Sequence, residues 1–211
     1  MDTYFDLGGY SFPVTTQSTE AQKWFDRGIL WTYGYNHEEA VICFERAIDA
    51  DPKCAMAYWG AGYASGPNYN MPWDLFDYAG RAAAARAGYA NARKALDMID
   101  GVTRWEAALI NALPARYPQP EPLDPEAMKS WNVDFAAAMR DVYAVHPESH
   151  EVRAVFAESL LNLTPWKMWD CLVDSPPRAR GRSKRKRFWK RQWRAIRQQC
   201  IILACCISTF I

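Results

Sequence analysis

Three histidines, six cysteines and scattered carboxylates and carboxamides are the residues of this 211-residue chain that could bind a metal, attack a substrate or move a proton. The densest grouping is Tyr35-Asn36-His37-Glu38-Glu39. A zinc hydrolase of the H-E-x-x-H type needs two imidazoles on one helix face and a carboxylate beside them to activate the bound water. Only one histidine is present here, and Asn36 followed by Glu39 has the spacing of a helix cap instead. His146 and His150 flank Pro147 in what reads as a turn between helices, and no further ligands accompany them to complete a zinc shell. Cys43, Cys54, Cys171, Cys200, Cys205 and Cys206 contain no C-x-x-C pair, which argues against a zinc site and a thioredoxin-like centre alike. Cys43 and Cys54 fall inside helical pattern and read as buried, inert thiols. There is no G-x-x-x-x-G-K-S/T to cradle phosphate and no G-x-S-x-G to present a nucleophilic serine. No catalytic residue, metal site or cofactor is expected.

One constellation remains as a candidate binding site. Tyr35, Asn36, His37 and Glu38 lie in the turn after the first predicted helix, and Asn68, Tyr69 and Asn70 follow the third. In antiparallel hairpins stacked in register, the first and third helices finish at the same end of the stack, so the two polar clusters could meet and form a pocket. The competing reading is that Asn68 and Asn70 cap their own loop with Tyr69 packed beneath it, as such residues do in turns.

The elements that would position these side chains are all helical. Ser18 caps a helix predicted to reach about Tyr33, Asn36 caps a second from His37 to about Ala50, and Asp51-Pro52 is read as the cap and first turn of a third, running to about Ser65. An insertion, GPNYNMPWDLFD, is bounded by Gly66-Pro67 and Met71-Pro72. An alanine-rich helix follows from Tyr78 to about Met98, then others over Thr103 to about Arg116, Glu126 to about Val145 and His150 to about Leu163. Seven helices and no convincing strand make the chain all-α. Residues 1–17, broken by Gly8-Gly9 and Pro13, read as an extended arm lying over the first helices.

Within Ala21–Ala64 the large and small residues recur in a pattern: Trp24, Gly28, Trp31, Ala40, Phe44, Ala47 and Pro52, with Tyr58 and Gly62 each thirty-four residues after Trp24 and Gly28. This spacing is that of the tetratricopeptide repeat, with Arg27 and Trp31 departing from the usual Leu and Tyr. Gly28 and Ala40 would let two helices approach closely, while Trp24, Trp31 and Phe44 fill the space around that contact. A weaker second-helix match ends at Pro147, with Phe135 where Ala is expected. The expected architecture is a TPR-like α-solenoid of stacked antiparallel helix hairpins over residues 18–170. Such stacks commonly offer a concave face to a peptide or protein, so a non-catalytic protein-interaction scaffold is the leading expectation.

The N-terminal text through GPNYN, with the HEEA and AYWG helices, resembles the opening of tetratricopeptide-repeat proteins of unassigned function found in bacteria and fungi. The resemblance extends from residue 4 to about 170. It implies a longer protein, with an HPGLLHLYIH-type helix and further repeats, and leaves open a small-molecule-binding or enzymatic family whose His-bearing downstream helices are absent here.

Composition divides the chain. Residues 171–211 hold 11 Lys and Arg against the single acid Asp174, leaving 14 basic and 23 acidic side chains for residues 1–170. The basic run of residues 178–197, interleaved with Phe188, Trp189 and Trp193, could meet nucleic acid, serve as a nuclear-localisation patch or, with the apolar end CIILACCISTFI, associate with anionic membrane. The apolar end is too short to span a bilayer. The favoured expectation is that this tail is disordered or read out of frame. Reading from the third codon base permits EEAVLEKAM over Lys184–Gln192 and MHHPGLLHLYIH over Gln199–Ile211, which resume amphipathic helix. The first sixteen residues hold two acids, no basic side chain and no apolar run, so no leader is expected, and the compartment expected is cytoplasmic, or nuclear through the basic run.

Overall fold

The structure is a computed structural model that describes residues 4–167. The expectations attached to residues 171–211, including the alternative frame and the nucleic-acid, nuclear and membrane readings, lie outside the described residues. Those described form seven α-helices and no strand: α1 (Thr19–Tyr33), α2 (His37–Ala50), α3 (Ala55–Ser65), α4 (Tyr78–Leu96), α5 (Arg104–Ala112), α6 (Pro125–Val145) and α7 (His150–Leu161). Single 3-10 turns lie at Trp73–Leu75, Ile99–Gly101 and Leu113–Arg116. None of these helices is long and apolar enough to cross a membrane.

Local chemistry accounts for most of the boundaries. Ser18, Asn36, Asp77, Asp124 and Ser149 each accept a hydrogen bond from an amide of the helix they precede, and Thr103 with Glu106 forms a reciprocal capping box at α5. The exception is α3. Asp51-Pro52 does not open it: Asp51 is the C-cap of α2, Pro52-Lys53 turn, and the helix starts after Cys54, which supplies no side-chain cap. The Asp51 carboxylate instead accepts from the Lys53 amide at 3.0 Å.

Burial explains how α3 dispenses with a cap. Nine of its eleven residues are buried, and it packs on α1, α2, α4 and α5, so tertiary contact replaces local stabilisation. Consecutive helices also pack as pairs, α1 on α2, α3 on α4 and α6 on α7. The ring of Phe44 fills the junction of α1, α2 and α3. A Cβ built on Gly28 would fall 2.6 Å from that ring and one on Gly60 2.4 Å, so both positions exclude a side chain. Gly62 faces α4 and the 3-10 turn after α5, meeting Asn91, Leu113 and the Gly88 carbonyl. Ala40 and Ala47 are fully buried.

Trp24 and Trp31 pack against the core and are half-buried, with the N-terminal arm beside them. The Tyr4 ring meets Trp24 edge-on at 5.1 Å, and Phe5 meets Trp31 at 5.8 Å. The Arg27 guanidinium lies over the Tyr4 and Trp24 rings.

Candidate functional site

The expected meeting point of the two polar clusters can be followed residue by residue. Tyr35 occupies the left-handed region at φ 60 and stacks on His37, with ring centroids 6.3 Å apart and planes 9° apart. Asn36 is exposed and accepts from the Glu39 amide, and Glu38 is exposed. His37 turns inward: its Nδ1 lies 3.0 Å from the Ala64 carbonyl oxygen, which can only accept, so Nδ1 carries the proton. Burial pushes the imidazole down to about 4, with Arg116 adding to the fall and the carbonyls of Ala64 and Thr32 opposing it. His37 thus reaches the end of α3 from which the insertion departs.

On the insertion side, Asn68 is buried and its Oδ1 accepts from the amides of Asn70 (2.9 Å) and Met71 (3.0 Å), closing its own loop. Asn70 is exposed, and the Tyr69 ring lies 5.8 Å from that of Trp166. Of the seven residues, His37 and Asn68 thus turn into the protein, while Asn36, Glu38 and Asn70 are exposed.

Behind the loop lies a polar centre that the sequence did not announce. Arg116 is 1% exposed, donates to the Pro67 carbonyl, and has its guanidinium over the rings of Tyr63 (4.9 Å) and Phe135 (5.0 Å). Tyr63 donates to Glu158 Oε2 at 2.8 Å, Asn162 donates to Oε1 at 2.7 Å, and the Tyr69 amide also serves this carboxylate. Burial lifts the Glu158 carboxyl above its ordinary range, while Arg116 and these donors pull the other way. Tyr117 donates to the Gly62 carbonyl at 2.8 Å. The network joins α3, the 3-10 turn after α5, α6 and α7 to the insertion, and fixes where Asn68 and Tyr69 sit.

A second arrangement faces outward along α1. The arm runs antiparallel to this helix: Phe12 lies beside Asp26, Val14 beside Gln22, and Thr16 beside Ser18. Two residues of extended chain rise about 6.6 Å and four residues of helix about 6 Å, so successive turns of α1 stay in step with alternate residues of the arm. Gln22 and Asp26 exploit this register. Asp26 Oδ1 accepts from the Phe12 amide at 2.9 Å, Gln22 Nε2 donates to the Phe12 carbonyl at 2.9 Å, and Gln22 Oε1 accepts from the Val14 amide at 2.9 Å. A further bond of 2.8 Å from Gln22 Nε2 to Asp26 Oδ1 holds the pair together. The Phe12 side chain, 2% exposed, enters between Phe25 (5.6 Å) and Trp105 (5.1 Å, stacked).

No family model, curated protein or solved structure matches the chain. Among the described residues no group of three or more His, Cys, Asp and Glu is arranged to hold a metal. His146 caps α6 at its C-terminus with Nδ1 3.7 Å from Glu148, and His150 opens α7. Cys43 and Cys54 are buried free thiols, and burial pushes Cys54 up to about 11, away from nucleophilic character.

What α1 can do is hold backbone. Its clamp contacts only main-chain groups of the arm, while an aromatic slot takes one side chain. Gln22 and Asp26, one helical turn apart, were the available signal in the sequence, but that spacing is also the ordinary pattern of a solvated helix face.

Proposed function

We propose that the chain is a non-catalytic, TPR-type protein-interaction scaffold whose stacked helix pairs bind an extended peptide or protein segment. The observation that carries this reading is the Gln22–Asp26 clamp: a helix face satisfies both the N–H and the C=O of Phe12 in an extended chain and admits its side chain to a slot. Recognition of this kind takes affinity from main-chain hydrogen bonds and selectivity from a side-chain pocket. The repeat reading is supported by the packing of the signature residues, with Gly28 pressed on Phe44 and the Tyr58 hydroxyl donating to the Pro52 carbonyl at 3.3 Å. Selection of the full chain against a library of random extended peptides tests the scaffold reading. Enrichment of a common motif, reduced by changes on the helix faces, is expected from the full chain or from a Phe12→Ala chain in which the N-terminal arm is weakened; no enrichment from either, both being folded, overturns it.

A further inference from the structure

The arm is covalently part of the chain, yet it is held in the way a separate peptide would be. It touches four helices, and most of its polar donors end on carboxylates of the helical body. Tyr4 donates to Glu39 (2.6 Å), Tyr10 to Glu151 (3.3 Å), the Phe12 amide to Asp26, and Thr16 to Asp51. Thr15 gives both its amide (2.7 Å) and its hydroxyl (2.6 Å) to Glu106. Between the anchor at Tyr4 and the clamped stretch beginning at Tyr10, the arm leaves α1, and a cavity of about 490 Å³ opens between them. Phe5 in this span is 66% exposed. The arm is therefore pinned at its two ends and loosely seated between them.

We infer that the α1 face bearing Gln22 and Asp26, with the Phe25–Trp105 slot and the Glu106 carboxylate, is the peptide-binding surface of this scaffold, and that residues 10–16 occupy it as a tethered competitor. The occupant it fits is an extended, non-acidic segment of another protein, with an aromatic anchor and a hydroxyl residue three positions after it, as Phe12 and Thr15 are placed. Charge decides against an acidic partner. Asp26, Asp51, Glu106 and Glu151 all border the path, and residues 1–170 carry nine more acids than bases, so a carboxylate or phosphate on the incoming segment would face like charge. Tethering gives the arm a high effective concentration, so a free peptide meets a site that is mostly filled until the arm is weakened.

This inference rests on the scaffold reading, and its test separates the two. The probe is a fluorescein-labelled peptide, GYSFPVTTQ, matching residues 9–17, titrated into the full chain, into Phe12→Ala and into Val14→Pro, which removes the amide donated to Gln22. Circular dichroism first establishes which chains are folded. Either weakened chain should bind the probe about tenfold or more tightly than the unaltered chain, and gain melting temperature with it. A probe with alanine at its Phe position should not bind, and adding Gln22→Ala to the weakened chain should abolish binding. A folded variant that ignores the probe overturns the inference, as does an unaltered chain that binds it equally well. Variants that unfold and are not refolded by the probe also overturn it, because the arm is then core and not ligand. If a peptide library still enriches a motif when this probe fails, the scaffold reading stands and only this surface falls.

Discussion

Phe44 shows how much one side chain can constrain its neighbours. Its ring lies against the Gly28 and Gly60 positions and meets Phe25 at 5.5 Å, so two helices approach α2 to the depth of a missing Cβ. Gly60→Ala would place a methyl group 2.4 Å from the ring, which the packed junction can absorb only by moving Phe44 or separating α3 from α2. The expected loss is about 1–3 kcal/mol, typical of overpacking and large beside the whole stability of a domain. Adding Phe44→Leu should return part of it, since the smaller side chain vacates the space. Chemical denaturation of the two single variants and the double variant checks this: additive losses would mean that the ring and the Gly60 position do not oppose one another.

At the scale of elements, His37 is a tie between helices. It opens α2, its Nδ1–H donates to the last turn of α3, and the Thr32 carbonyl near the end of α1 is also within its reach. Its imidazole falls from 6.5 to about 4 on folding, chiefly through burial. The unfolded chain therefore binds the proton more readily, so stability is present above about pH 6.5 and is lost as pH falls towards 4. The limit is about 3 kcal/mol, from 1.36 kcal/mol per unit. Comparing unfolding free energies of the native chain and His37→Gln from pH 7.5 to 4 isolates this slope from the carboxylates; parallel curves would rule the tie out. This residue also marks where sequence reading succeeds and stops. Ser18 and Asn36 announced their helices because capping is local chemistry between residues two or three apart. The start of α3 was misplaced because burial substitutes for a cap there, and Asp51-Pro52 imitates one. Arg116 and Glu158 were passed over because charged side chains ordinarily face water, and only the folded chain brings Tyr63 and Asn162 to them. The Gln22–Asp26 clamp was illegible for a related reason: an extended arm has no period to reveal which helix it follows.

For the whole molecule, the arm changes how the helices cooperate. A linear stack in which each pair touches only its neighbours can open piece by piece. Here residues 10–16 bind Asp26 in α1 and Asp51 at the end of α2, and also Glu106 in α5 and Glu151 in α7, so one segment links helices far apart in sequence. Glu106 is the strongest of these links. It is fully buried and accepts from the amide and hydroxyl of both Thr15 and Thr103, four donors on one carboxylate. Glu106→Gln keeps the shape but replaces one acceptor oxygen with a donor nitrogen, which faces hydroxyls and amides it cannot satisfy. A loss of about 2–4 kcal/mol is expected, from charged hydrogen bonds weakened and donors left unpaired. The more specific consequence is a loss of unity. Amides of α5 should exchange with solvent sooner than those of α2, and the single unfolding transition should broaden or divide. Thr103→Val provides the comparison, because it weakens the α5 cap while leaving both Thr15 bonds in place. If the two variants give the same exchange pattern, the cap alone matters. If only Glu106→Gln separates α5 from α2, the arm is what makes these helices unfold together.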